Sequence, residues 1–219
     1  MRKSFAKISK LVFPFVAAGL VLGAAVFVIG TATAPNVKAC IQPGCDFLTG
    51  GGWIVYHGAK GTFGVGGGCK HGSGINGVPY WGHLEYIDHG IGLNVHATEI
   101  TAYMFEDTGV DFDANGHPVG RRIICGTART NMTDGDVSFA VRAQDNGEPG
   151  VNDNFDIKVT SLGGSTTLYD TSSECLGHFL GSYVPCSAGT GGGGNIQLHK
   201  PNRSTTGEFG GSCPAMFTP

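Results

Sequence analysis

The chain has 219 residues, 38 of them glycine, and a formal net charge of −3. Glycine so far above its ordinary share of roughly 7%, yet without a three-residue period, excludes collagen and points to a chain full of turns. Arg2, Lys3, Lys7, Lys10 and Lys38 fall within residues 1–39, so the remainder carries nine basic against seventeen acidic residues. An acidic domain without a basic run excludes nucleic-acid binding, which needs a cationic footprint.

Residues 1–10 are basic and residues 11–30 carry no charge; Thr31-Ala32-Thr33-Ala34 are small. Basic start, apolar stretch and small residues are the three parts of a secretory signal. The apolar stretch is also long enough to span a bilayer. We read residues 1–39 as a signal peptide or membrane anchor, with cleavage after Ala34 or Ala39 preferred over retention. Residues 40–49 read as a tether.

Strands are predicted in chain order at 52–57, 62–66, 83–87, 93–98, 100–105, 122–128, 137–144, 155–160, 166–169 and 195–199. The clearest run has Val137, Phe139, Val141 and Ala143 on one face and Ser138, Ala140, Arg142 and Gln144 on the other. Likewise, Phe155, Ile157 and Val159 alternate with Asp156, Lys158 and Thr160. A period of two with one apolar face marks half-buried strands packed on a second layer. About ten such strands predict an all-β fold, an antiparallel β-sandwich or related barrel over residues 50–200. Residues 201–219 lack the pattern and read as a C-terminal tail.

All seven cysteines, Cys40, Cys45, Cys69, Cys125, Cys175, Cys186 and Cys213, follow the targeting segment. No Cys-x-x-Cys pair occurs, which disfavours a zinc ribbon and favours disulfides of an oxidising compartment. Spacing suggests Cys40–Cys45, Cys175–Cys186 and Cys69–Cys125, although connectivity is not fixed by sequence. An odd count leaves one thiol free or paired with another chain, opening a route to self-association.

Gly50-Gly51-Gly52-Trp53-Ile54, Lys60-Gly61-Thr62-Phe63-Gly64, the run from Gly82 to His89, Asp145-Asn146-Gly147-Glu148-Pro149-Gly150, and Gly194-Asn195-Ile196-Gln197-Leu198-His199-Lys200 follow one another. In that order they resemble the glycine-rich β module that follows choice-of-anchor domains in secreted bacterial surface proteins. The resemblance covers about residues 50–200 and implies secretion and a surface or matrix role. That family has no assigned activity, so the likeness carries over no catalytic residue. The chain departs from it by standing alone behind an export segment and by a cysteine-bearing insertion over 173–190.

Three constellations are candidates for chemistry. If His89-Gly90 forms a two-residue turn, Tyr86 opposes Leu93, Leu84 opposes Val95, His83 opposes His96 and Glu85 opposes Asn94. His83, His96 and Glu85 would then hold zinc or copper, since neutral imidazole suits both; the plainer reading is a solvated polar face. Asp107, Asp111, Asp113 and Asn115 form the first acidic loop. It opens like an EF-hand, but Arg122 stands where a bidentate Glu is required, so only a looser calcium cage remains. Asp145, Glu148 and Asp153 form the second candidate calcium loop. Both loops also read simply as turns rich in Asp, Asn and Gly.

No serine-nucleophile elbow, zinc-protease helix or phosphate loop is present. Trp53, Tyr80 and Trp81 are candidates for stacking on sugars or for the core. The expectation is a secreted or envelope-associated, non-catalytic β module that binds or assembles extracellularly, stabilised by calcium if by any cofactor. The alternatives are a secreted metal-dependent enzyme and a disulfide-linked subunit of an extracellular assembly. Its partner would be an unknown extracellular ligand or surface component, with membrane contact only through an uncleaved N-terminal segment.

Overall fold

The structure is a computed structural model that describes residues 44–71, 79–106, 111–188 and 192–217. Residues 1–39, read above as a targeting segment, and Cys40 and Asp107 lie outside the described residues. The strands in chain order are β1 (Phe47–Tyr56), β2 (Ala59–Cys69), β3 (Tyr80–Asp88), β4 (Leu93–Phe105), β5 (Asp111–Phe112) and β6 (Pro118–Thr130). They continue with β7 (Val137–Asp145), β8 (Asn154–Ser161), β9 (Thr167–Asp170), β10 (His178–Phe179), β11 (Gly194–His199) and β12 (Gly210–Gly211). A 3-10 turn, Thr171–Ser173, follows β9.

All pairings are antiparallel, in the order β10-β8-β7-β6-β4-β3-β2-β1-β11. β12 joins β4, β5 joins β6 and β9 joins β8. The two ends of this order meet, folding the sheet over itself into the predicted sandwich-like barrel. The Trp53 N–H donates to Gly193 O (2.8 Å), and the Gly181 N–H donates to Trp53 O (3.0 Å). The free edge of β11 is stitched differently: Ile196 N–H donates to the Asp153 carboxylate and Leu198 N–H to that of Asp145, each at 2.8 Å.

Alternation decides what lies inside. Leu48, Ile54, Phe63, Val65, Leu84, Tyr86, Val95, Phe139, Val141, Phe155 and Ile157 form the main core. Phe63 and Phe155 stack with ring centroids 3.7 Å apart, tying β2 to β8 across the interior. Gly67 also faces inward; a Cβ there would lie 2.8 Å from Ile124 Cδ1, so its absence lets the two layers close. The β1–β2 hairpin turns on His57 and Gly58, with φ of 48° and 78°. Two positive φ angles are what a two-residue turn matched to strand twist requires.

Both flanks are more ordered than their composition suggests. β1 begins at Phe47, within the stretch read as a tether. The stretch read as a tail supplies β12, Cys213 and the buried Ala215 and Phe217, which pack with Ala102, Ile123, Cys125 and Ala140 on the outer side of β4, β6 and β7. Lys158 and Thr160, on the polar stripe of β8, are buried too. Lys158 donates to Met216 O at 3.3 Å. A polar stripe reads alike in sequence whether water or a second layer of protein covers it.

The disulfides are Cys45–Cys69, Cys125–Cys213 and Cys175–Cys186. The first two replace the expected Cys40–Cys45 and Cys69–Cys125 pairs. Cys69 belongs to the main core, whereas Cys125, next to inward-facing Ile124, lies in the outer cluster. The two therefore sit on opposite faces of the sheet. Three disulfides imply an oxidising environment. No helix among the described residues is long and apolar enough to cross a membrane.

A buried ion pair links the N-terminal approach to the sheet. Arg122 and Asp46 are 0% and 1% exposed. The Arg122 Nε donates to both Asp46 oxygens at 3.0 and 3.2 Å, its terminal nitrogen adds a further bond, and the Tyr103 hydroxyl donates at 2.8 Å. Burial works against the Arg122 charge, but the Asp46 carboxylate outweighs it and holds the guanidinium above its ordinary pKa. Removing one partner strands the other charge in the interior. Asp46→Ala is expected to lower stability by about 3–5 kcal/mol in urea unfolding; a loss below about 1 kcal/mol, the scale of an exposed pair, would contradict this account.

Candidate functional site

The alternation that buries one side of β1, β2 and β3 turns the other side out as a nearly flat face. Its floor is glycine. In register across the strands, Gly51 pairs with Gly64 and Gly64 with Glu85; Thr49 pairs with Gly66 and Gly66 with His83. Thr49, His83 and Glu85 are exposed, as is His96 beyond them on β4. A Cβ on Gly66 would stand 3.2 Å from the His83 ring, but one on Gly64 would meet nothing within 4 Å.

Aromatic rings close both ends of this floor. At one end Phe47 stacks on His199, centroids 4.5 Å apart, and Trp81 leans on Phe47 at 6.0 Å. His199 is oriented by a 2.8 Å hydrogen bond to Thr49 Oγ1. At the other end Trp53 meets Tyr183 at 4.9 Å, and Lys60 Nζ lies over the Trp53 ring, 4.0 Å from its centroid. Tyr183 is 69% exposed and sits in the loop closed by Cys175–Cys186. Phe47 and Trp53 share a face of β1 six residues apart, about 20 Å at roughly 3.3 Å per residue. Of the three aromatic residues singled out in sequence, Trp53 and Trp81 are half-buried here, while Tyr80 belongs to the core.

The transition-metal constellation is not assembled as expected. The β3–β4 hairpin pairs Glu85 with His96 and Tyr86 with Val95, a slip of two residues from the register that set His83 against His96. The loop is longer because Asp88 Oδ1 accepts from the Gly90 and Ile91 N–H groups, and Gly92, at φ 71°, closes it. A shift of two keeps every side chain on its face, so hydrophobic pattern cannot detect it. Glu85 bonds His96 Nδ1 directly, while His83 lies against Gly66 on the other side. Among the described residues, no group of three or more His, Cys, Asp or Glu side chains is arranged to hold a metal ion.

The acidic loops are drawn together. Asp113 and His117 from the first, and Asp145 and Glu148 from the second, line one crevice of about 10 Å³. Asp113 Oδ1 accepts from the N–H groups of Asn115 and His117, and these bonds hold its pKa below the ordinary value. Asp111 is exposed on β5. In the second loop, Asp145 accepts from Gly147 and Leu198 N–H, Asp153 from Asn146 and Ile196 N–H, and Glu148 from the Asn195 amide. These carboxylates chiefly cap backbone, yet Asn195 Oδ1 is buried without a partner beside them. Burial, with Asp145 and Glu148 nearby, pushes Asp153 up to about 6 against the pull of its hydrogen bonds, and burial raises Asp145 as well.

Sequence reading missed two buried polar groupings. Asp156 and His178 are 0% and 1% exposed, joined through Nδ1 at 2.7 Å. Asp88, Tyr169 and Tyr86 form a chain of two 2.7 Å hydrogen bonds. The one signal available was the density of Asp and Tyr on predicted strands, where such residues are not placed without partners.

No protein-family model, no curated protein and no solved structure matches this chain.

Because Asp153 has its folded-state pKa above the unfolded value of about 3.9, its contribution to stability is full below about pH 4 and is lost as pH rises through about 6. The difference in unfolding free energy between the wild type and Asp153→Asn is therefore expected to shift against the wild type across that window. Urea titrations from acid to neutral pH measure it, and a constant difference would refute the assignment.

Proposed function

We propose that this chain is an exported, non-catalytic β module that works in the cell envelope or outside the cell. Its ligand is a neutral, extended polysaccharide lying along the outer face of β1, β2 and β3. The observation that carries the reading is Gly64. Glycine inside a strand costs roughly 0.5–1 kcal/mol relative to alanine, and neither a positive φ nor a crowding neighbour calls for it here. What glycine supports at this position is flatness, between aromatic rings at either end and hydrogen-bonding His83, Glu85, Thr49 and Gln197 alongside.

Aromatic faces offer apolar contact with a polar edge, and a few placed polar groups fix orientation. A polymer of uncharged hydroxylated rings suits a face where Glu85 is engaged with His96. The three disulfides and the charge-free stretch over 11–30 favour work beyond the cytoplasm. The resemblance read from the motifs between Gly50 and Lys200 points to the same setting.

Pull-down on insoluble neutral polysaccharides, together with affinity electrophoresis in soluble ones, tests this reading. Gly64→Leu should abolish retention while leaving thermal melting within a few degrees of wild type; Trp53→Ala should weaken it about tenfold, the effect of roughly 1.4 kcal/mol. Retention that survives Gly64→Leu, or that never occurs, would overturn the reading.

Calcium enters as a stabiliser of the second acidic loop. The described carboxylates form no ready-made metal cage, so a calcium ion would have to draw Asp145, Glu148 and Asp153 together, relieving their mutual repulsion, with Asn195 Oδ1 as an oxygen that has no other partner. Millimolar calcium is expected to raise the melting temperature of the wild type but not of Asp153→Asn. An equal rise in both would place the ion elsewhere.

A further inference from the structure

A cavity of about 430 Å³ opens at the end of the barrel away from the Asp46–Arg122 pair's neighbourhood, between the β1–β2 turn, the β3–β4 turn, β9 and the 3-10 turn. It lies outside the glycine-floored face and plays no part in the polysaccharide reading. We propose that it binds a small organic ammonium ion with a hydrocarbon tail.

Two carboxylates, Asp88 and Asp170, belong to its lining. Asp88 is 4% exposed and held from three sides: Oδ1 accepts from Gly90 N–H at 2.7 Å and Ile91 N–H at 3.2 Å, and Oδ2 accepts the Tyr169 hydroxyl at 2.7 Å. A carboxylate has about four acceptor sites, so one remains for a ligand donor. Burial holds the phenols of Tyr169 and Tyr86 above their ordinary pKa, which keeps them protonated and able to support Asp88. Asp170 is fixed by the Ser172 N–H and hydroxyl. Asp88 is thus already oriented at the cavity, while Asp170 adds negative charge to the lining but is engaged by Ser172 and Lys158, and little reorganisation accompanies binding.

The walls and mouth complete the selection. Tyr56 and His57 stack with centroids 4.0 Å apart, and Tyr169 stands edge-on to Tyr56 at 5.3 Å. Aromatic faces attract cations, quaternary and primary ammonium alike. Among the described residues no Lys or Arg lines the cavity, and the nearby Lys158 is directed to Asp170 at 3.9 Å. At the mouth Ile91 and Leu168 are 59% and 41% exposed, an apolar rim for the ligand's hydrocarbon. A volume of this size falls within the range of small-molecule sites.

Titration calorimetry of the full-length protein with hexylammonium, hexan-1-ol and hexanoate tests the proposal. Hexylammonium should bind saturably with one site per chain, about tenfold or more tighter than the alcohol, and hexanoate should not bind. Asp88→Asn should erase the preference for ammonium over alcohol. Leu168→Ser, at an exposed position that leaves the fold intact, should weaken both ligands alike and guards against misfolding of the Asp88 variant. No saturable binding of hexylammonium, equal affinity for the alcohol, or indifference to Leu168→Ser would each overturn the site.

Discussion

The barrel depends on two carboxylates doing the work of a strand. β11 pairs with β1 along one edge, and its other edge would present bare N–H groups to the interior. Asp145 and Asp153, at the two ends of the β7–β8 connection, accept those N–H groups instead. An unsatisfied buried donor costs about 1–3 kcal/mol, so each acid contributes to closing the seam. Using side chains also lets β11 meet the β7–β8 connection without a shared backbone register. The unpaired edge that a sheet normally has to guard is thereby covered within the same chain.

That seam divides the surface into faces with different fates. Outside β4, β6 and β7 the C-terminal segment lies down with Ala215 and Phe217 and is pinned through Cys213 to Cys125. Outside β1, β2 and β3 the sheet keeps the polar side chains of Thr49, His83 and Glu85 exposed over half-buried and buried glycines. The acids of the β7–β8 connection sit beneath the rim of the exposed face, because Asn195, which flanks the floor, donates its amide to Glu148. The same acids therefore hold β11 in place at the edge of that face.

Strand identity was legible because period-two hydrophobicity is strong where one face is buried. Val137, Phe139 and Val141, and Phe155, Ile157 and Val159, went inside as read. Register was less legible: the β3–β4 hairpin slipped by two residues, a change that leaves every inward and outward assignment intact. The cysteine pairs depended on which face each cysteine takes, and for Cys69 and Cys125 that follows from tertiary layers rather than spacing. Asp156 and His178 were hidden for a related reason, since outward polarity is the same code for water and for a covering loop. The acidic loops were found as loops, but their role as backbone caps depends on β11, distant in sequence.

The pairing of β1 with β11 has a temporal side. Thr49 and His199, joined by a side-chain bond across that pair, are 150 residues apart. Contacts of such separation make folding slow, and synthesis delivers the N-terminal partner first. Until β11 is made, β1 has β2 on one edge and no partner on the other, a bare row of backbone groups of the kind that invites pairing with another chain.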